Sequence, residues 1–279
     1  MGVENTGRYN WALYTVAQQL DLSLYVIAPL HLKKSLGLVR GKNDKIDALL
    51  RIASFIRRHY PELTPYKPCR NIMLQLQVLL SERKQLVAIK KQLAATASQY
   101  ELLAHTGLQE LLIQKQASLQ AALREQIKAV EQHIQGLIAS DEVLREKAQW
   151  IQSVQGVGKV LCWHLLVKTN EFKTITETRK LACYAGVVPF EYSSGTSVRG
   201  KQRLLVYGDK GLKTLLHLAA MSAIRLKGEL RGYYQRKVGE GKNKMSVLNA
   251  VRNKIIHRIF AVIKHQRPYK IDASHLELS

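Results

Sequence analysis

From Pro68 to Pro189 the chain contains no proline. Proline inside a helix removes a backbone hydrogen bond and clashes with the preceding turn, so this long gap permits uninterrupted helices. Residues 67–150 are dominated by Gln, Leu, Lys and Ala, which are good helix formers. Leu79, Leu86, Ile89 and Leu93 follow one another in steps of seven, three and four, and Ile127, Val130, Ile134 and Leu137 alternate threes and fours. That spacing predicts two long amphipathic helices in a coiled-coil-like pair, with His105-Thr106-Gly107 as the candidate connection. A helical scaffold or dimerising arm is the ordinary reading of such a segment.

The arm divides the chain into three predicted domains, 1–66, 67–150 and 151–279. Their net charges are +4, +3 and +15, within a formal total of +22 from 43 basic and 21 acidic residues. A basic excess confined to one segment points to a polyanion, with nucleic acid the leading candidate. A soluble basic protein with no such partner is the plainer alternative. Cys69, Cys162 and Cys183 are far apart and form no CxxC pair. They predict reduced thiols in a cytoplasmic chain and argue against structural zinc. MGVENTGRYN has no apolar signal core, and no stretch reaches the length of a membrane span.

Residues 1–66 read as α/β. Gly2–Glu4 is a weak strand signal and Leu24–Ala28 (LYVIA) a short buried strand, with a helix between them over Asn10–Leu20. Asp44 opens DKIDALLRIASFIRRH. Its Ile46, Leu49, Leu50, Ala53 and Ile56 suggest a helical stripe ending near His59, before Pro61. Asp44 and Asp47 share a helix face at i,i+3. They could cap the helix N-terminus and oppose its dipole, or bind Mg²⁺, which prefers oxygen ligands. Spacing alone favours capping, and Glu4 on its own says almost nothing.

Residues 151–279 read as mainly α. IQSVQGVGKVLCWHLLVKT places Gly156 and Gly158 between apolar segments, as in a helix-hairpin-helix turn. There the backbone N–H groups around Lys159 could hold a phosphate; a tight interhelical turn explains the glycines equally well. Helices are expected over Glu177–Ala185, Leu212–Leu226 and Lys242–Lys264. Between the first two lies YSSGTSVRGK, residues 192–201. Gly195 and Gly200 let backbone approach a ligand, and Arg199, Lys201 and Arg203 can contact phosphate oxygens. A serine here could attack a phosphodiester only with a base to activate it. His217, on the next helix, reads as a packed histidine. Local spacing therefore favours a mobile basic loop over a nucleophile.

Taken in order, these blocks resemble a known family. VENTGRYN, GKNDKIDALL, VQGVGKVLCWHLL, RKLACYAGVVPFEYSSGTSVRGK and GDKGLKTLLHLAAMSA are similar to the motifs of bacterial insertion-sequence transposases of the DEDD-plus-serine class, the bridge-RNA-guided recombinases. The resemblance implies an RNase H-like N-terminal domain whose acidic quartet binds Mg²⁺. Glu4 matches the quartet's Glu, and Asp44 and Asp47 its last two Asp. The family's first Asp lies upstream of the position at which Met1 stands, so a truncated domain is expected. The resemblance also implies a C-terminal serine that forms a phosphoserine linkage to DNA. That serine is Ser194, beside Gly195, with Ser193 the alternative. Implied partners are DNA, a guide RNA and further copies of the chain. The alternative function is an inactive transposase remnant that binds nucleic acid.

Overall fold

The computed structural model describes the chain apart from residues 36–43, 101, 104–106, 191–192, 195–197, 200–202, 205–207 and 271–279. Side chains are described outside those residues and outside residues 8, 34–35, 44–50, 97–98, 189–190, 193–194, 198–199 and 203–204. The chain forms a small β/α region followed by a largely helical body, divided into compact units Met1–Arg70 and Asn71–Ser279.

In the first unit, β1 (Gly2–Glu4) and β2 (Tyr25–Ile27) pair in parallel, with Glu4 opposite Ile27. A parallel pair needs a crossover, and α1 (Trp11–Gln19) supplies it. Helix α2 (Pro29–Ser35) starts on Pro29, which suits the first turn of a helix. Helix α3 (Asp44–His59) then packs against β1. Ile27, Leu32 and Phe55 form the core, with Ile52, Ile56 and Leu63 against it. Of the expected stripe, the side chains of Ile46, Leu49 and Leu50 lie outside the described residues. Ile56 faces the core as anticipated and Ala53 is exposed, while Phe55 takes the central place. Helix α2 and the core positions of Ile52 and Phe55 escaped the sequence reading.

The second unit begins with α4 (Asn71–Tyr100) and α5 (Gln109–Ser140). They run antiparallel, because Arg83 Nε donates to Glu131 Oε1 at 2.6 Å while Gln116, nearer the start of α5, bonds Leu93 and Thr96 near the end of α4. The residues joining them include the expected connection, of which His105 and Thr106 lie outside the described residues. Burial concentrates at the open end of this hairpin, at Met73, Leu76, Leu80, Ile134 and Ile138. Ile89, part of the expected stripe, is 44% exposed.

Asp141 ends α5 in an extended conformation and accepts from the Leu144 N–H at 2.9 Å, capping α6 (Glu142–Gln152). There follow α7 (Lys159–Lys168), α8 (Thr178–Tyr184), α9 (Lys210–Ala223), α10 (Glu229–Gly239) and α11 (Lys244–His265). Helix α11 is central, packing against α6, α8, α9 and α10. All its buried residues but Val262 run along two adjacent i,i+4 ridges: Val247, Val251, Ile255 and Ile259 on one, Leu248, Arg252 and Ile256 on the other. Arg252 thus occupies a core position in an otherwise apolar row. Among the described residues no helix is long and apolar enough to cross a membrane.

Candidate functional site at the root of a β-ribbon

The YSSGTSVRGK segment is not a loop throughout. β3 (Pro189–Phe190) pairs antiparallel with β6 (Arg203–Leu204), and β4 (Ser193–Ser194) pairs antiparallel with β5 (Val198–Arg199). Along the sequence the β4–β5 ladder is nested within the β3–β6 ladder, and the two together make up the ribbon segment. Ser193 stands opposite Arg199 and Ser194 opposite Val198, so among the described residues Ser194 is the last paired residue of the outgoing strand. The side chains of Ser193, Ser194, Arg199 and Arg203, and the whole of Gly195, Gly200 and Lys201, lie outside the described residues. The strands were missed because each ladder is two residues long and the segment is too polar to show an apolar alternation.

The ribbon leaves and rejoins the helical body at adjacent points. Gly186 follows α8 with φ +64°, a conformation glycine adopts freely. A Cβ on Gly208 would lie 2.8 Å from the Cα and nitrogen of Gly186. The Asp209 N–H donates to the Tyr184 carbonyl at 2.8 Å and closes the root. Asp209 also caps α9, its Oδ1 accepting from the Leu212 N–H at 2.8 Å. Its Oδ2 meets Lys168 Nζ at 3.1 Å and accepts from the Tyr184 hydroxyl at 3.2 Å. Burial opposes the Asp209 charge, but the Leu212 N–H and Lys168 outweigh it and hold the carboxyl below its usual range. Burial likewise opposes the Lys168 charge, and Tyr184 and Asp209 overcome it, raising the ammonium pKa. One turn before Lys168, burial and then the Lys168 charge push His164 down to about 4.

A second group holds the outgoing leg. Asn249 Nδ2 donates to the Val187 carbonyl at 2.6 Å. Arg252 donates to Asn249 Oδ1 at 3.3 Å and to His217 Nδ1 at 2.8 Å. A guanidinium has no acceptor, so Nδ1 must accept, and His217 is neutral with its proton on Nε2. Burial and the neighbouring Arg252 lower its pKa. His217 is therefore half-buried rather than simply packed, and its local sequence gave no sign of a partner 35 residues away.

The GxG turn lies between α6 and α7. Gly156 has φ +86°, and a Cβ there would overlap the Ala219 carbonyl and sit 2.9 Å from the Ala223 nitrogen. Close packing on α9 accounts for this glycine. Gly158 has φ −93°, is exposed, and has open space around its Cα. It precedes α7 with no side-chain cap, and Lys159 Nζ reaches Gln135 Oε1 at 3.3 Å. The two glycines thus differ in kind: packing dictates Gly156 and does not dictate Gly158. Cys162 is buried and its thiol is pushed up to about 12, which makes it inert.

In the first unit, Glu4 ends β1 and its carbonyl accepts from Asn10 Nδ2 at 2.6 Å. Asp44 and Asp47 open α3 one turn apart, with their side chains outside the described residues. Carboxylate oxygens at these positions suit a hard divalent cation in donor chemistry. Among the described residues no group of three acidic, His or Cys side chains could hold a metal ion.

Comparison with known proteins adds the following. Residues 1–103 match a transposase family model of the IS110 DEDD type, and residues 148–235 match the Transposase IS116/IS110/IS902 family. The pilin gene-inverting proteins of Moraxella bovis and Moraxella lacunata are each 26% identical over 96% of this chain and 80% of their own length. The transposase for insertion sequence element IS1328 of Yersinia enterocolitica is 30% identical over 47% of this chain and 36% of its own.

Proposed function

We propose that this chain, which carries IS110-family transposase domains, cuts and rejoins DNA through a serine on the ribbon. The observation that carries the reading is the pairing of Ser194 with Val198 in the β4–β5 ladder, within a segment held to the helical body at Val187 and Asp209. In the proposed step, Ser194 Oγ attacks the scissile phosphorus and loses its proton to a base. The phosphorus–oxygen bond to one deoxyribose breaks, and that oxygen leaves as a hydroxyl. Attack by a hydroxyl of another strand then regenerates the serine, so the phosphodiester is conserved and no hydrolysis is required. Similarity to proteins named for inverting a gene supports a reaction that reseals what it cuts. Ser193 is the alternative nucleophile.

Glu4, Asp44 and Asp47 would hold Mg²⁺, which supplies charge neutralisation at a reacting phosphate when bound. Arg199, Lys201 and Arg203 on the ribbon, and the N–H groups of the Gly156–Gly158–Lys159 turn, would contact backbone phosphates. An RNase H-like first domain, the coiled-coil arm and the helix-hairpin-helix turn belong to this proposal, as do a cytoplasmic location, a guide RNA and a homo-oligomer. The oligomer is supported by exposed Leu102, Leu108, Leu111, Ile113 and Leu119 at the closed end of the α4–α5 hairpin. A second reading, nucleic-acid binding without strand transfer, is favoured by the +15 charge of residues 151–279.

The test is to incubate the full chain with donor duplex DNA, Mg²⁺ and flanking RNA. Denaturing gels and peptide mapping would then seek a covalent adduct. An adduct mapping to the 193–194 peptide supports strand transfer; duplex binding without any adduct supports the second reading.

A further inference from the structure

Arg252 is 5% exposed and sits in the Leu248–Arg252–Ile256 ridge of α11, where helical spacing calls for an apolar residue. Buried guanidinium groups are ordinarily matched by a carboxylate, because an uncompensated charge in the interior is costly. Among the described residues, Arg252 pairs with none. Its partners are the neutral groups His217 Nδ1 and Asn249 Oδ1, and its Nε has no partner. Burial alone lowers its pKa. Among the described residues the cation is held in place by two neutral residues and has no carboxylate partner.

The bonding also determines what His217 offers. Because Nδ1 accepts from Arg252, the Nε2 proton is left as a donor. His217 is half-buried where Arg252 is buried, so it is the more accessible of the two. A neutral donor backed by a buried positive charge suits an anion better than a base or a neutral ligand. Its place narrows the choice further. Asn249, bonded to Arg252, holds Val187 at the outgoing leg of the ribbon, and His217 lies on α9, which begins at the returning leg.

We propose that His217 and Arg252 form an anion site at the root of the ribbon that takes a backbone phosphate of the DNA bound there. His217 Nε2 donates to a non-bridging oxygen, and Arg252 supplies the charge behind it. No covalent step is involved. The identity of the phosphate as DNA rests on the strand-transfer reading; the need for an anion rests on Arg252 itself.

The full chain is titrated against a fluorescent duplex of about 30 base pairs over a range of salt, as wild type, Arg252→Met and His217→Phe. A protein that loses one phosphate contact loses about 0.9 from the slope of log K against log salt. The expected result for Arg252→Met is that loss, with a melting temperature unchanged or raised, since an unpaired buried charge has been replaced by an apolar side chain. His217→Phe, at the more accessible position, should lower the slope equally and decides the matter if Arg252→Met fails to fold. An unchanged slope with a lowered melting temperature overturns the site and makes Arg252 a structural hydrogen-bond donor. A slope change with single-stranded RNA but not with duplex overturns DNA as the ligand. Adduct formation is scored separately: its absence in the wild type counts against strand transfer, whereas an unchanged slope in both variants counts against this site.

Discussion

Gly208 lies against Gly186 so closely that a Cβ added to Gly208 would meet the Gly186 backbone at 2.8 Å. This contact lets the two legs of the ribbon enter the helical body side by side. Gly208→Ala must push backbone rather than a flexible side chain. It is expected to cost about 1–3 kcal/mol, as overpacking does, and to spread the ribbon root. Thermal unfolding measures the first effect and adduct yield the second. Normal stability and yield would show that the root tolerates separation.

Asp209 combines a helix cap with an ion pair, and two substitutions separate them. Asn also caps a helix, so Asp209→Asn removes chiefly the Lys168 pairing, worth about 0.5–1 kcal/mol at a partly exposed site. Asp209→Ala removes the cap as well, for about 1 kcal/mol more. The folded-state pKa of Asp209 lies below its ordinary 3.8. Its contribution is therefore fully present above that value and is lost as pH falls through the lower folded one. The stability gap between wild type and Asp209→Asn, from denaturant melts, should stay constant from pH 5 to 8 and shrink below about pH 4.

His164 also makes the fold weaker in acid, but over a higher pH range. Its pKa falls from 6.5 unfolded to about 4 folded, so the unfolded chain binds more protons between those values. Stability should decline as pH drops from about 6.5 towards 4. His164→Gln should flatten that decline while leaving the Asp209 effect below it. Urea melts at pH 7, 5.5 and 4.5 would check this, and an unaltered slope in the variant would assign the decline to other groups.

The two glycines of the GxG turn predict contrasting variants. Gly156→Ala places a side chain at positive φ and against α9, and should cost at least about 2 kcal/mol. Gly158→Ala meets open space at an ordinary φ and should cost under about 1 kcal/mol. Melting temperatures distinguish the two. If Gly158→Ala keeps its stability yet weakens duplex binding, the N-terminus of α7 contacts phosphate; unchanged binding assigns Gly158 to the turn alone.

The helices were legible where apolar spacing is long and regular. The proline-free stretch announced α4 and α5, and the α9 and α11 patterns were plain. What was lost depends on contacts distant in sequence. Ile89 fits a heptad but is exposed, because the hairpin buries its open end rather than its whole length. Helix α6 begins only one residue after α5, at the Asp141 cap, which periodicity alone does not separate. The ribbon ladders are too short for an alternation signal. The candidate serines came from motif resemblance, and the Asp209 and Arg252 groups around the root were invisible because their partners lie 25 to 62 residues away.

The most direct measurement is covalent trapping with the full chain, donor DNA, Mg²⁺ and flanking RNA, comparing wild type with Ser194→Ala and Ser193→Ala. The account predicts a protein–DNA adduct in wild type and Ser193→Ala, and none in Ser194→Ala. An adduct that survives Ser194→Ala and disappears in Ser193→Ala would move the nucleophile by one residue. One that survives both substitutions would contradict serine-mediated strand transfer by this ribbon.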